Sequence, residues 1–142
     1  MGSRQRLAEL AAEKLYGSDQ ASQMLGMTIV SVAPGSARVT MRVRPDMVNG
    51  HDICHGGLIF ALADSAFAFA CNSHGHNTVA AGAAIEFLVP GRKGDLLTAS
   101  ATERWRAGRS GIYEIEVRNE RGDAIALFRG RSHQVAGRLV DE

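Results

Sequence analysis

Hydrophobic and polar positions follow two different periods along this chain, and the change of period separates predicted helices from predicted strands. Residues 4–16 carry Leu and Ala at helical spacing and are followed by Gly17, which predicts an amphipathic helix. Residues 27–33 are strand-like, and residues 36–43 alternate between apolar and polar side chains after a Pro-Gly turn. The two segments together predict a β-hairpin with one buried face.

The segment 56–71 is apolar over almost its whole length. From position 58 onward every side chain in it is apolar except Asp64 and Ser65. Ala, Leu and Phe dominate the segment, so it predicts a helix rather than a strand, opening at a pair of glycines. A helix that is apolar on nearly every side is expected to be buried on most sides.

The rest of the chain predicts an antiparallel sheet. Four more strand-like segments follow the apolar helix and are separated by short turns, at 78–89, 96–106, 111–118 and 124–135. A helix, a hairpin, a buried helix and a run of strands give an α+β fold, in which one sheet curls around a single central helix. The 142 residues are expected to form one domain (1–142), with an N-terminal helix within 1–19 preceding the core.

Composition and charge exclude several classes of protein. A net charge of +1 argues against a general nucleic-acid binder. The one long apolar segment is interrupted by Asp64 and is too short to span a bilayer, so no membrane role is expected. The N-terminal residues lack the apolar stretch of a secretory signal. Two cysteines, Cys54 and Cys71, do not make a disulfide framework, and a cytoplasmic location is therefore expected.

Asp64 is the residue in this pattern that most needs an explanation. It lies about two turns inside the predicted helix, where it cannot serve as an N-cap. Burying a carboxylate costs roughly several kcal/mol of free energy unless it is paired with a cation or hydrogen-bonded. One interpretation is an ion pair with one of the 16 Lys and Arg residues, or a hydrogen bond to a backbone amide. The other is a carboxylate that faces a cleft and acts as nucleophile or general base.

Four stretches of the sequence together resemble the hotdog-fold acyl-CoA thioesterases, and most of all the PaaI group of phenylacetate degradation. They are NGHDICHGG (49–57), LAD (62–64), IEFLVPGRKGD (85–95) and ALFRGRSH (126–133). The resemblance runs from about residue 20 to about residue 135. It implies a hotdog fold, a homodimer with a continuous sheet that pairs into a homotetramer, and a coenzyme A thioester as substrate.

The resemblance also implies roles for the residues near the start of the central helix. The first amides of a helix have no intrahelical partner and lie at the positive end of its dipole, so the Gly56 amide can hold the thioester carbonyl oxygen, supported by Gly57. Both glycines can equally be plain helix-start residues. Asn49 is a turn residue by pattern, and the resemblance implies that it positions the attacking water or the carbonyl. His55 is expected to cap the helix at the border of the site.

In such relatives the acid that matches Asp64 lies at a subunit interface and acts on a thioester bound against the partner subunit. Some of them also carry a Ser or Thr on the strand after the helix to orient water. Here the stretch VAAGAAIEF, at 79–87, has no hydroxyl group. Either water is held otherwise in this chain, or hydrolysis is slower than in those relatives.

Metal and thiol chemistry are both rejected. His51, Asp52, Cys54 and His55 crowd together, but their spacing fits no zinc template, and neither does the pair His74 and His76. A Cys54 nucleophile has no evident group to orient it, and Cys71 is expected in the core.

The last strand places basic groups at every second position, which puts them on one face. They are either a solvated face or contacts for coenzyme A phosphates. The candidates for phosphate contact, with the further basic residues of the turns, are Arg129, Arg131, His133, Arg92, Lys93 and Arg109.

The sequence therefore predicts an acyl-CoA thioesterase with no metal or redox cofactor, coenzyme A being part of the substrate. The resemblance implies an aryl or ring-derived acyl group such as hydroxyphenylacetyl. Phe60, Phe67 and Phe69 either line a pocket for it or pack in the core. Two alternatives stay open: a non-catalytic acyl-CoA-binding protein of the same fold, and a hotdog dehydratase or hydratase.

Overall fold

The computed structural model describes residues 2–141. Apart from one short helix and one 3₁₀ turn, the helices and strands follow one another in the order that the hydrophobic pattern predicts. The elements are α1 (Gly2–Ser18), α2 (Gln20–Met24), β1 (Thr28–Ala33), β2 (Ser36–Arg42), a 3₁₀ turn (Pro45–Met47), α3 (Gly56–Cys71), β3 (His76–Phe87), β4 (Leu96–Ala107), β5 (Ser110–Arg118) and β6 (Ala124–Arg138).

The strands of residues 2–141 form one six-stranded sheet in the order β1-β2-β4-β5-β6-β3. Every neighbouring pair in it is antiparallel. The sheet curls around α3, which packs against β2, β4, β5, β6 and β3. The α+β prediction and the hotdog arrangement are thereby confirmed. β1 and β3 are the two edge strands of this sheet.

The core lies between the inner face of the sheet and α3. Ala37, Val39 and Met41 of β2 are all buried, as their alternation predicts, while Arg38 and Arg42 on the opposite face are exposed. The helix contributes Ile59, Leu62, Ala63, Ala66, Phe67, Phe69 and Ala70 to the same core.

α3 spans the predicted residues, but its burial differs from the expectation. Gly57, Ala61, Asp64 and Ala68 follow one another at helical spacing and are exposed or only partly buried. The sheet covers one side of the helix, and α1 and α2 cover another part of it. A single chain therefore leaves one stripe of an apolar helix incompletely covered, and Asp64 lies on that stripe.

The N-terminal segment is held against the core by hydrogen bonds. Gln5 Nε2 donates to the Val32 carbonyl of β1 at 2.8 Å, and Tyr16 Oη donates to the Met27 carbonyl at 2.7 Å. The short helix α2 was not predicted, since five residues are too few to establish a helical period. Among residues 2–141, no helix has both the length and the apolarity needed to cross a membrane.

Candidate active site

The N-terminus of α3 leaves one backbone donor unused. His55 is the N-cap of the helix, and its Nδ1 accepts a hydrogen bond from the Gly57 amide at 3.0 Å. The Leu58 and Ile59 amides donate to the His55 carbonyl. The Gly56 amide has no acceptor within residues 2–141. Of the two glycine amides, it is therefore Gly56 that is available to a bound carbonyl oxygen.

Gly56 has no room for a side chain. A Cβ built on it would lie 3.1 Å from Cζ of Phe87, the residue at which β3 ends. This distance is tighter than ordinary van der Waals contact, so glycine allows Phe87 to approach the start of the helix. The ring remains 54% exposed. It forms a wall beside the free amide.

Asn49 lines the same cavity as Gly56 and has one end of its side chain free. Its Oδ1 accepts from the His51 amide at 2.9 Å and from the Ile53 amide at 3.4 Å, which closes the loop before α3. Its Nδ2 has no partner within the described part of the chain. Asn49 and Gly56 line one cavity of about 310 Å³, here called the Gly56 pocket. Its other walls include Ile53, Phe87, Leu88 and Val89.

Asp64 lies in a second cavity, of about 350 Å³, here called the Asp64 pocket. Within residues 2–141 its carboxylate has neither an ion pair nor a hydrogen bond, so the pairing that would make it purely structural is not observed. Burial raises the pKa of Asp64, and the negative charge of Asp19 raises it further. A carboxyl group with a raised pKa is a stronger base once it is ionised. The walls include Leu15, Asp19, Phe67, Asn72 and Thr78.

The far end of α3 is fastened to β3 by one buried side chain, which shapes the Asp64 pocket. Asn72 Nδ2 donates to the carbonyls of Ala68 and Thr78, both at 2.9 Å. Its Oδ1 accepts from the Thr78 amide at 2.9 Å. All three residues line the pocket, so the Asn72 side chain holds two of its walls in fixed register.

One chain does not bring the two halves of the candidate site together. Gly56 and Asp64 are eight residues apart on one helix, which is about 12 Å along its axis. The Gly56 pocket and the Asp64 pocket share no lining residue. A thioester held at the Gly56 amide of one chain would therefore lie out of reach of Asp64 in the same chain.

The remaining residues that the sequence singled out lie in different surroundings. His55 and Gly57 form the helix cap described above. Phe67 is 1% exposed and packs against Tyr113 and Phe128, with ring centroids 5.5 and 5.9 Å apart, while one edge of it lines the Asp64 pocket. The basic candidates Arg92, Arg129 and Arg131 are exposed and line neither pocket. Their contact with a phosphate stays a prediction.

Both cysteines are buried and protonated at neutral pH. Burial raises the pKa of Cys54 to about 11, and burial raises that of Cys71 to about 12. Neither thiol is therefore a ready nucleophile. Residues 2–141 contain no group of three or more His, Cys, Asp or Glu side chains that could hold a metal ion.

Sequence reasoning missed three residues that shape the site. Asp19 follows Gly17-Ser18, and an acid after such a break is a helix-start signal that would have found α2. Asn72 follows the last apolar residue of the helix, where Asn commonly ends helices. Phe87 carries no local signal, because its contact with Gly56 depends on how β3 returns past the helix.

A family model of the thioesterase superfamily matches residues 51–126 of this chain. Among curated proteins, the acyl-coenzyme A thioesterase PaaI of Escherichia coli (strain K12) is 47% identical over 131 residues. That match covers 92% of this chain and 94% of the relative.

Two solved structures are similar in fold and sequence. The structure of the E. coli PaaI protein from the phenylacetic acid degradation operon has a TM-score of 0.94 and 46% identity, over 96% of this chain and 99% of that one. A mutant of the phenylacetic acid degradation protein PaaI from Thermus thermophilus has a TM-score of 0.79 and 37% identity. The match covers 82% of this chain and 100% of that one.

Proposed function

Because this chain belongs to the thioesterase superfamily and is an acyl-CoA thioesterase, we propose that it hydrolyses aryl or ring-derived acyl-CoA, such as hydroxyphenylacetyl-CoA. Water adds across the thioester, the C–S bond breaks, and the free acid and coenzyme A leave. The observation that carries the proposal is the pair of unused groups on α3, the Gly56 amide at its start and the unpaired Asp64 carboxylate two turns later.

In this mechanism Gly56 and Asn49 act on the thioester carbonyl. As the tetrahedral intermediate forms, negative charge develops on the carbonyl oxygen, and a fixed donor stabilises it more than it stabilises the substrate. The Gly56 amide supplies such a donor at the positive end of the α3 dipole. The free Nδ2 of Asn49 supplies a second donor, to the same oxygen or to the attacking water.

Asp64 activates the nucleophile. An ionised carboxylate takes a proton from water as the water attacks the carbonyl carbon, or it attacks that carbon itself and forms a mixed anhydride that water then hydrolyses. Both routes need an ionised carboxylate that is free of a permanent cationic partner. The surroundings of Asp64 meet that requirement.

A homodimer would complete the site, because β3 links the two pockets. Its early residues Thr78 and Val79 line the Asp64 pocket, and Phe87 at its end lines the Gly56 pocket. β3 is an edge strand, exposed along most of its length. Antiparallel pairing of β3 with its copy about a twofold axis sets the start of one strand against the end of the other. The Gly56 pocket then faces Asp64 of the partner subunit.

Support for an aryl substrate comes from the relatives and from the pocket. The E. coli structure is of a protein from the phenylacetic acid degradation operon. The Asp64 pocket has mainly apolar walls, including Leu15, Val79 and an edge of the Phe67 ring. We further propose that Arg92, Arg129 and Arg131 contact the coenzyme A phosphates in a dimer-of-dimers homotetramer. Two free, buried cysteines support a reducing compartment, the cytoplasm.

A panel of thioesters tests the proposal, with release of free thiol as the readout. Hydroxyphenylacetyl- and phenylacetyl-CoA should be cleaved with higher kcat/KM than saturated acyl-CoA of similar length. A clear preference for palmitoyl-CoA over every aryl thioester would refute the aryl substrate. An enoyl-CoA in the same panel tests the hydratase alternative through loss of its double bond without thiol release. Saturable binding with no turnover of any thioester would favour the non-catalytic alternative.

A further inference from the structure

The Asp64 pocket contains a second carboxylate, supplied by the N-terminal segment. Asp19 is the N-cap of α2 and lines the same cavity as Asp64. It comes from the junction between α1 and α2, whereas Asp64 comes from the middle of α3. Two acids from distant parts of the chain thus face one cavity whose lining contains no Lys or Arg from residues 2–141.

A chain of hydrogen bonds links Asp19 to α3. Ser22 donates its amide to Asp19 Oδ1 at 3.0 Å and its hydroxyl to Oδ2 at 2.6 Å. Ser22 Oγ also lies 2.7 Å from Oγ of Ser65, the neighbour of Asp64 in sequence. Because the one hydroxyl proton of Ser22 goes to the carboxylate, the Ser65 hydroxyl must be the donor to Ser22. Ser22 is 1% exposed, so the chain runs through the interior.

The charge of Asp19 also bears on Asp64 directly. After burial, it is the second cause of the raised pKa of Asp64. The other titratable group that lines the pocket is Cys71 of the same helix, and it stays neutral because burial raises its pKa to about 12. α1 contributes Leu15 and Ser18, and β3 contributes Thr78, Val79 and Ala80, none of which titrates in the ordinary range. Asp19 is thus the one neighbouring charge within the described lining.

We propose that Asp19 is a positioning residue for thioester hydrolysis, which acts on Asp64 through Ser22 and Ser65 and through its own negative charge. This inference rests on the proposed role of Asp64. The hydrogen-bond chain fixes the turn of α3 that carries Asp64, and the charge keeps that carboxylate basic. The junction between α1 and α2 thereby supports the reaction and does not only cover the core.

A purely structural role would look different in one measurable respect. If Asp19 only caps α2, its loss lowers stability and leaves the ionisation of Asp64 unchanged. If the charge acts on Asp64, its removal lowers the pKa of Asp64, because a like charge disfavours ionisation. The protonated, inactive form then takes over at a lower pH. The acid limb of the pH profile of kcat/KM should therefore move to lower pH.

The test is Asp19→Asn, which removes the charge and keeps a good N-cap residue. The expected result is an acid limb shifted to lower pH by a few tenths of a unit or more, with a severalfold fall in plateau kcat. Ser65→Ala breaks the hydrogen-bond chain but keeps both charges. It should therefore lower kcat and leave the acid limb of the pH profile where it is in wild type. Glu13→Gln removes an exposed charge of α1 that does not line the pocket, and its profile should match wild type.

An Asp19→Asn profile that matches wild type, with only a lower melting temperature, would overturn the proposal. Asp19→Ser, which can also cap α2, replaces Asp19→Asn if the latter does not fold. Asp64→Asn, measured in parallel, separates the two hypotheses. If Asp64→Asn keeps full turnover, the proposed role of Asp64 has failed. If it is inactive while Asp19→Asn is unchanged in limb and kcat, only the role of Asp19 has failed.

Discussion

At the scale of single residues, the proposed chemistry of this chain depends on groups that its own fold leaves unused. Helix starts and buried acids usually find partners, because an unpaired polar group costs free energy. Here the Gly56 amide, the Asn49 Nδ2 and the Asp64 carboxylate all lack a partner within residues 2–141. Each of them lines a cavity that can admit solvent or a ligand. These groups lie along an apolar helix and the loop before it, where each would be free to interact with a bound thioester.

Asp64→Asn separates a catalytic Asp64 from a structural one. The amide keeps the shape of the side chain and removes its charge. Turnover should fall by about two orders of magnitude or more, the scale of losing a general base, with substrate binding little changed. Stability should hold or rise, because the variant no longer holds an unpaired charge in a partly buried position. Measuring kcat and the melting temperature side by side tests both expectations.

The pH dependence of that stability gain has a definite sign. The folded-state pKa of Asp64 is raised above its unfolded value, so the ionised carboxylate destabilises the folded chain. This penalty is present above the raised pKa and disappears as the pH falls to the unfolded value. Asp64→Asn should therefore gain stability near neutral pH and lose that advantage in acid. A variant that melts much lower yet keeps its turnover would show that Asp64 is scaffolding.

At the scale of elements, α3 was predicted over the residues it occupies because its apolar run begins at two glycines and ends at a polar loop. β2 was predictable for a similar reason, since strict alternation fixes which face is buried. α2 was not, because five residues do not establish a period. Nor could the pattern reveal that α3 carries an uncovered stripe, which depends on how far the sheet wraps.

Close contacts between α3 and the sheet could not be predicted from the sequence either. One of them determines how α3 packs against the sheet. A Cβ built on Gly130 of β6 would lie 2.7 Å from the ring of Phe67, a distance that real structures do not tolerate. Phe67 therefore packs directly over the glycine backbone. The local sequence shows Gly130 only as a glycine inside a strand. The reason that glycine is needed there is the ring of Phe67, which comes from a helix far away in sequence.

Gly130→Ala should unseat Phe67 and disturb the Asp64 pocket, of which that ring is a wall. Overpacking of this kind costs about 1–3 kcal/mol of unfolding free energy. Gly17→Ala is the matched control, because a Cβ there meets nothing within 4 Å among the described residues. The control should be neutral or slightly stabilising, as alanine favours a helix. Equal melting temperatures for both variants would contradict this account of the Phe67 contact.

At the scale of the whole molecule, the exposed edge of β3 and the separated pockets point to the same arrangement. An unpaired edge with Ala80, Ala81, Gly82, Ala83 and Ala84 at its centre is a template for another strand. Pairing that edge with its copy would cover it and would also bring two half-sites together. Light scattering should accordingly give a multiple of the 15.2 kDa chain mass and not the mass of one chain.

Subunit complementation tests whether a site is shared between two chains. Asp64→Asn removes the proposed base, and Gly56→Ala drives a methyl group toward the Phe87 ring beside the free amide, so each variant alone should be nearly inactive. Coexpression of the two makes hybrid dimers. If the site is shared as proposed, the intact Gly56 pocket of one chain would face the intact Asp64 of the other in these hybrids, and part of the activity should return.

The control for this experiment pairs two defects that lie in one pocket. Gly56→Ala and Asn49→Ala both damage the Gly56 pocket, so every site of a hybrid dimer would retain one defect and activity should stay low. Recovery in the first mixture but not in the second is the signature of a site built from two chains, because only then do Gly56 and Asp64 act from opposite subunits. If each chain instead held a complete site, hybrids of Asp64→Asn with Gly56→Ala would contain two damaged sites, and coexpression would restore nothing.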